Sequence, residues 1–267
     1  METKANVICM KYGTRYPAHY VNRLYAGVKR NMERKFRFVC FTDDPEGLAD
    51  GIEAQPLPEP PATLSAIGRK WPTVYTKLAF FRDGCGGLEG PTLFLDIDQI
   101  VAGPMDRFFE FNPGGFCIIR NWIERRKLIF RRRPKIGNSS CFRFEAGKSD
   151  RVWRAFADNP AAAYDRRRFP TEQAFMTHAV GLENIAWWPE DWVVSFKRSC
   201  HRMFPANLFR PPRGMPETAS ILCFHGHPCP EDAIAGFEFL KGNRVAIHQR
   251  TLPAPWIEKL WIDGTRK

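Results

Sequence analysis

The run Thr92-Leu-Phe-Leu-Asp96-Ile-Asp98 constrains this chain more than any other feature. Uncharged, mostly bulky residues lead straight into two acids. A strand covered on both faces carries such a continuous apolar run, because neither side meets water. The run therefore predicts a central strand that ends at a site. Period-two alternation puts Asp96 and Asp98 on the same side of the chain, with Ile97 pointing away.

The flanking sequence supplies the rest of a sheet. Asn6-Val-Ile-Cys-Met10 predicts a first buried strand, and Gly13 breaks it. Val21, Leu24, Tyr25, Val28 and Met32 recur at helical spacing. Phe36–Phe41 predicts a second strand, closed by the turn residues Thr42-Asp-Asp-Pro45. A short strand is expected near Ile52–Leu57, then a proline-rich loop. Trp71-Pro72-Thr73 predicts the opening of a helix with Val74, Lys77, Leu78 and Phe81 along one side. Further strands are expected at Phe116–Ile119, Ser140–Phe144 and Ile221–Phe224, and helices at 150–157 and 171–180. Alternating strands and helices indicate an α/β fold with a mainly parallel central sheet flanked by helices, read as one domain over residues 1–267. In such sheets ligands bind beyond the carboxyl ends of the strands, where Asp96 and Asp98 stand.

Charge narrows the partners. Lys and Arg number 40 and Asp and Glu 29, so 40 − 29 gives +11. A basic excess favours anionic partners such as nucleotides, nucleic acid, phospholipid headgroups or phosphorylated glycans. Three short runs concentrate it: Arg125-Arg126-Lys127, Arg131-Arg132-Arg133 and Arg166-Arg167-Arg168. Each alone reads as a solvated loop; together they are compatible with a shared anionic surface. The 8 cysteines form no CxxC pair, and several lie in apolar, strand-like stretches where a thiol acts as a small core residue. No apolar signal segment and no stretch of about 20 apolar residues is present. The expected place is the cytoplasm, with at most peripheral contact at the inner face of a membrane.

Two carboxylates on one side of a strand end can share a hard divalent cation, which prefers oxygen ligands and leaves positions for substrate phosphates. They can also cap a turn. Lys77 reads as a solvated helix residue or as a point charge on a diphosphate. Tyr12 packs, or stacks on a base. Asp43 and Asp44 fit a turn before Pro45. Trp187, Trp188 and Trp192 read as core before sugar platform.

In order, the motifs Met10-Lys-Tyr-Gly13, Tyr75-Thr-Lys77-Leu78, Leu93-Phe-Leu-Asp-Ile-Asp-Gln-Ile-Val101, Asn138-Ser139-Ser140, Glu172-Gln173 and Phe224-His225-Gly226-His227-Pro228 resemble the GT-A glycosyltransferases. The resemblance is greatest to the family-eight group that includes glycogenin and bacterial lipopolysaccharide galactosyltransferases, and it runs from about Val7 to Pro230. It implies a metal-dependent transfer from a nucleotide-diphosphate sugar, UDP-sugar above others, to a glycan or lipid-linked acceptor, with a retaining outcome. Manganese is the implied ion and magnesium the alternative. Asp96, Asp98 and His225 would hold it, with His227 in reserve. The family's histidine often lies further upstream, where this chain has Cys223. Lys11, Tyr12, Gly13, Lys77, Ile97, Asn138, Ser139 and His227 form the implied donor-binding set. Glu172 and Gln173 would sit near the anomeric carbon; Glu172 departs from the family's Asp-Gln, and Cys229-Pro230 replaces its Lys-Pro.

Three other readings compete. A haloacid-dehalogenase-like phosphatase also places DxD after an apolar strand, but it needs a later acidic pair, and no Gly-Asp run follows Asp98. A nucleotidyltransferase needs a glycine-rich phosphate loop, which Lys11-Tyr-Gly-Thr-Arg15 is not. Nucleic-acid binding would suit the charge, yet the basic runs lack regularly interleaved aromatics, so no nucleic-acid partner is expected.

Overall fold

The computed structural model describes residues 4–122, 135–238, 240–241 and 244–264. The expected basic runs 125–127 and 131–133 lie outside the described residues. The first strand, β1 (Ala5–Lys11), is buried along its whole length. Beside it lie β2 (Phe36–Thr42), β3 (Ile52–Gln55) and β4 (Gly90–Leu95). The far half of the sheet is β6 (Phe116–Arg120), β7 (Gly137–Ala146) and β8 (Ile185–Trp187). The order of these seven strands is β3-β2-β1-β4-β7-β6-β8. All neighbours pair in parallel except around β7, which runs antiparallel to both β4 and β6. The mixed, mainly parallel sheet expected from the sequence is therefore present.

A smaller sheet crosses one end. In it β5 (Ile100–Val101) pairs with β10 (Ile221–Cys223), and β10 with β9 (Val193–Ser195). This pairing brings the segment after β10 to the turn that leads into β5.

Alternation along the strands splits the core into two layers. Val7, Cys9, Phe38, Cys40, Leu93 and Leu95 face helix α1 (Ala18–Asn31). Ile8, Val39, Phe41, Phe94 and Phe142 face the 74–81 turn and helices α3 (Arg151–Asp158) and α4 (Glu172–Val180). Helix α1 forms where the periodicity predicts it, and Lys29 and Arg30 in its last turn suit the negative end of its dipole. Gly27 lets it lie against β5, since a Cβ there would meet the Val101 carbonyl oxygen at 3.0 Å. Trp188 is core, edge-on to Phe108. All eight cysteines are free thiols. No helix of the described residues is long and apolar enough to cross a membrane.

One correction concerns residues 74–81. The expected α-helix is a 3-10 turn, Val74–Phe81, opened by Thr73 rather than by Pro72. Thr73 Oγ1 accepts from the Tyr75 N–H at 3.2 Å, and the Thr73 N–H donates to Thr76 Oγ1 at 3.0 Å. Tyr75 to Phe81 are all buried, so no polar face remains to favour a regular amphipathic helix.

Arg143 on β7 has no exposed surface. Its guanidinium donates to the carbonyls of Phe108 (2.9 Å), Phe109 (3.0 Å), Phe111 (2.8 Å), Asn112 and Gly115 (3.1 Å). These carbonyls belong to helix α2 (Arg107–Glu110) and the loop into β6, so one side chain sets the path of that connection. Arg143→Met strands them in a dry interior. The expected loss is about 3–5 kcal/mol of unfolding free energy, with partial recovery in Arg143→Lys, read by urea denaturation.

Candidate active site

Strand β4 stops at Leu95, and Asp96 and Asp98 stand in the turn beyond its carboxyl end. The Gln99 N–H closes that turn on the Asp96 carbonyl at 3.3 Å. The Asp96 N–H donates to the Ser140 carbonyl at 2.9 Å, so the ladder to β7 extends one residue past the strand. Ile97 is buried in the layer beneath α1, away from the 74–81 turn.

Lys77 is the centre of the arrangement. It is 5% exposed. Its Nζ lies 2.7 Å from Asp96 Oδ1 and donates to the Ser139 carbonyl at 3.1 Å. Burial alone would lower the pKa of this ammonium; Asp96, Glu172 and Asp98 outweigh burial and hold it above the ordinary lysine value. Lys77 is thus not a solvated helix residue: its charge is buried and directed at Asp96. At Asp98, burial first and Asp96 second push the carboxyl up to about 7, against the pull of Lys77 and Arg15.

β7 supplies the floor. Ser139 Oγ donates to the Glu172 carboxylate, and the Ser139 N–H donates to Gln173 Oε1 at 3.3 Å. The Gly137 N–H donates to Thr177 Oγ1 at 2.9 Å. These bonds dock the first turns of α4 on the strand. Thr171, the N-cap, accepts from the Ala174 N–H at 3.4 Å. Asn138 Nδ2 donates to Asn121 Oδ1 at 3.3 Å, while its own Oδ1 accepts from the Ser140 N–H at 3.0 Å.

The loop after β1 forms another wall. The Gly13 N–H donates to Asp43 Oδ2 at 2.9 Å, at a positive φ of 63° that suits glycine. Lys11 is buried and its Nζ reaches the Asp44 carbonyl (3.1 Å) and Oδ2 (3.3 Å), so it is engaged by the β2 turn. Tyr12 is raised by burial and feels Lys77 and Asp96; Tyr16 is pushed up to about 12 by burial and then by Asp98. Arg15, Tyr16 and Gln99 went unread in the sequence. Gln99 has no exposed surface, and its Nε2 donates to the Ser140 carbonyl (2.6 Å) and Cys223 Sγ (3.2 Å). Its place directly after Asp98 was the only signal for it.

His225 follows β10. Burial, then Lys197, Arg198 and Lys77, lower its imidazole to about 4, so it is neutral at pH 7. Its buried Nε2 has no hydrogen-bond partner, and its ring lies 4.9 Å from that of Trp122. His227 is exposed and engaged elsewhere: its Nδ1 lies 2.6 Å from Asp232 Oδ2, and its ring stacks on Phe237 at 5.4 Å.

The structure therefore gathers Asp96, Asp98, Lys77, Ser139, Glu172 and Gln173, with Tyr12 at the edge. Three carboxylates surround one ammonium, a balance that a divalent cation would complete. Two carboxylate oxygens and a neutral imidazole with an orphaned nitrogen are a fitting donor set for such an ion. The ligand atoms of Asp96, Asp98 and His225 do not all lie within 4.8 Å of one another. Among the described residues only His227, Cys229 and Asp232 bring three metal-binding atoms within 4.8 Å of one another. That trio already has a structural role, since the Cys229 N–H donates to Asp232 Oδ2 (2.9 Å) at the start of helix α5 (Pro230–Ala235).

Removing the central cation tests this charge balance. Lys77→Met leaves Asp96 without its counter-ion, and a loss of about 2–4 kcal/mol in unfolding free energy is expected. Lys77→Met combined with Asp96→Asn should recover part of it, because the unpaired charge is gone. Urea denaturation of Lys77→Met, Asp96→Asn and the double variant decides; a double-variant loss equal to the sum of the two single losses would show that the pair is not coupled.

No protein-family model and no curated protein sequence matches the chain. Solved structures do. The galactosyltransferase LgtC in complex with donor and acceptor sugar analogs is 11% identical, with 84% of this chain and 88% of LgtC covered and a TM-score of 0.52. The glycosyltransferase GlyE of Streptococcus pneumoniae TIGR4 is 10% identical over 98% of this chain, with a TM-score of 0.58. The chain spans 60% of GlyE's length. The bifunctional WbbM is 8% identical over 86% of this chain and 47% of its own, at a TM-score of 0.52. At such identities the likeness is one of backbone architecture. The chain has the GT-A fold of these glycosyltransferases.

Proposed function

We propose that the protein transfers a sugar from a nucleoside-diphosphate sugar, UDP-sugar above others, to a hydroxyl of a glycan or lipid-linked acceptor. One observation carries this reading: in a GT-A fold, a carboxylate cluster short of positive charge stands at the carboxyl end of the central strand, where such sheets bind ligands. Asp96 and Asp98 would hold a divalent cation, manganese before magnesium, with His225 as a further ligand. When bound, the ion neutralises charge on the diphosphate leaving group.

The chain's own residues have separable tasks in this reading. Lys77 holds Asp96 fixed in direction. Tyr12 presents a ring to the base, beside Gly13 and the Asp43 turn. Ser139 ties Glu172 and Gln173 to β7, which places the start of α4 beside the anomeric carbon. In transfer, the anomeric C–O bond to the diphosphate breaks and its electron pair leaves with the diphosphate. The acceptor oxygen forms the new bond from the same face and passes its proton to the departing diphosphate oxygen. The unpaired thiols suit a reducing compartment, and we place the reaction in the cytoplasm, with peripheral membrane contact as the route to a lipid-linked acceptor.

A thermal-shift panel of nucleotides with and without manganese tests the reading. UDP at about 100-fold above its Kd contributes about 2.7 kcal/mol, a rise of roughly 5–10 °C in Tm, and a chelator should abolish it. Asp98→Asn should remove the manganese-dependent part and slow UDP-sugar hydrolysis by about 10²–10³-fold. Full activity in Asp98→Asn, or a shift that ignores chelation, would refute the metal assignment.

A further inference from the structure

A cavity of about 520 Å³ opens beside the loop that carries His225. One wall is the segment after β9, which contributes Lys197, Arg198, His201 and Arg202; His227 and Phe237 stand on another side. Among the described residues the lining contains no aspartate or glutamate. Asp96, Asp98, Lys77 and Tyr12 are not part of it, so it is separate from the carboxylate cluster. The two adjoin, because Lys197 Nζ donates to the His225 carbonyl at 2.6 Å.

Among the described residues the side chains of Lys197, Arg198 and Arg202 make no ion pair with an acid. Arg198 is half-buried, and among the described residues its guanidinium has neither an ion pair nor a hydrogen bond. A guanidinium carries five donors in a fixed fork, so one left unused on a cavity wall is poised for a planar or tetrahedral anion. Lys197 gives one of its three hydrogens to the His225 carbonyl and stands beside Arg198 on the same wall. Arg202 is anchored through Nε to the Pro211 carbonyl at 2.7 Å, leaving its outer nitrogens available. Of the acids close in sequence to His227 and Phe237, Asp232 is engaged by His227 and Glu238 by Arg250 at 3.0 Å. The rim is different in character. Met203 is 51% and Phe204 44% exposed, and Phe237 lies flat against His227. Such surfaces suit the C–H face of a sugar ring.

We propose that this cavity is the acceptor subsite and that it selects a phosphorylated sugar, with Arg198 clamping the phosphate between Lys197 and Arg202. The proposal rests on the transferase reading above and adds the chemical class of its acceptor. The phosphate is a handle: it is neither attacked nor transferred, and the attacking hydroxyl lies elsewhere on the same molecule.

Titration calorimetry on the full chain tests it with glucose 6-phosphate and hexyl phosphate, and with glucose and hexanol as uncharged counterparts. The phosphorylated probes should bind at least tenfold more tightly than their counterparts, and glucose 6-phosphate ahead of hexyl phosphate. Arg198→Gln should abolish the margin and Arg198→Lys retain part of it. Arg198 makes no side-chain hydrogen bond or ion pair among the described residues, so its replacement reads binding rather than folding. Equal binding of charged and uncharged probes, or an Arg198→Gln protein that titrates like the parent, overturns the proposal. Hexyl phosphate ahead of glucose 6-phosphate overturns the sugar assignment in favour of a lipid phosphate. UDP with manganese is titrated in parallel. Displacement of glucose 6-phosphate by UDP assigns the cavity to the donor and overturns the proposal. Failure of UDP to bind the parent protein removes the transferase reading and the acceptor role with it, while tight phosphate binding lost in Arg198→Gln still establishes the anion site.

Discussion

The contact between Lys77 and Asp96 is the interaction on which the site depends. An ammonium with almost no exposed surface is tolerated only beside an opposite charge. Lys77 meets that need by drawing Asp96 to 2.7 Å, and a second hydrogen reaches the Ser139 carbonyl. One nitrogen thereby joins three segments: the 74–81 turn, the turn after β4 and the start of β7. Ser139 then passes the connection to Glu172 and Gln173 on α4.

Charge is divided across the loop that follows β10. On one side the carboxylates outnumber the cations, and Asp98 responds with a raised pKa. On the other side the cations line a cavity that holds no acid among the described residues. His225 stands between them and is kept neutral by burial and by the cations on both sides. Opposite fields in adjoining compartments suit two ligands of different charge character that must be held close together.

Much of the scaffold was legible along the chain. β1, β2, β4, β7 and α1 form where apolar runs and helical spacing place them, because such patterns reflect which faces meet water. Trp188 was rightly read as core. The 74–81 segment misled, since its apolar residues fit a helix whereas near-complete burial and the Thr73 cap leave a 3-10 turn. The antiparallel course of β7 left no mark, because direction depends on how the chain returns to the sheet. His227 read in sequence as the reserve for His225, and in the fold Asp232 and Phe237 engage it.

By itself the sequence determined a central apolar strand ending in two acids, the α/β alternation around it and the chemical types available at its tip. These follow from interactions between near neighbours and from burial pattern. The tertiary structure alone decided that Lys77 serves Asp96, that Ser139 holds Glu172, and that Lys197, Arg198 and Arg202 share a wall with His227. Lys77 and Ser139 are 62 residues apart, and Ser139 and Glu172 are 33 apart. Contacts at such separations depend on strand order and on the docking of helices against the sheet, and no local pattern encodes either.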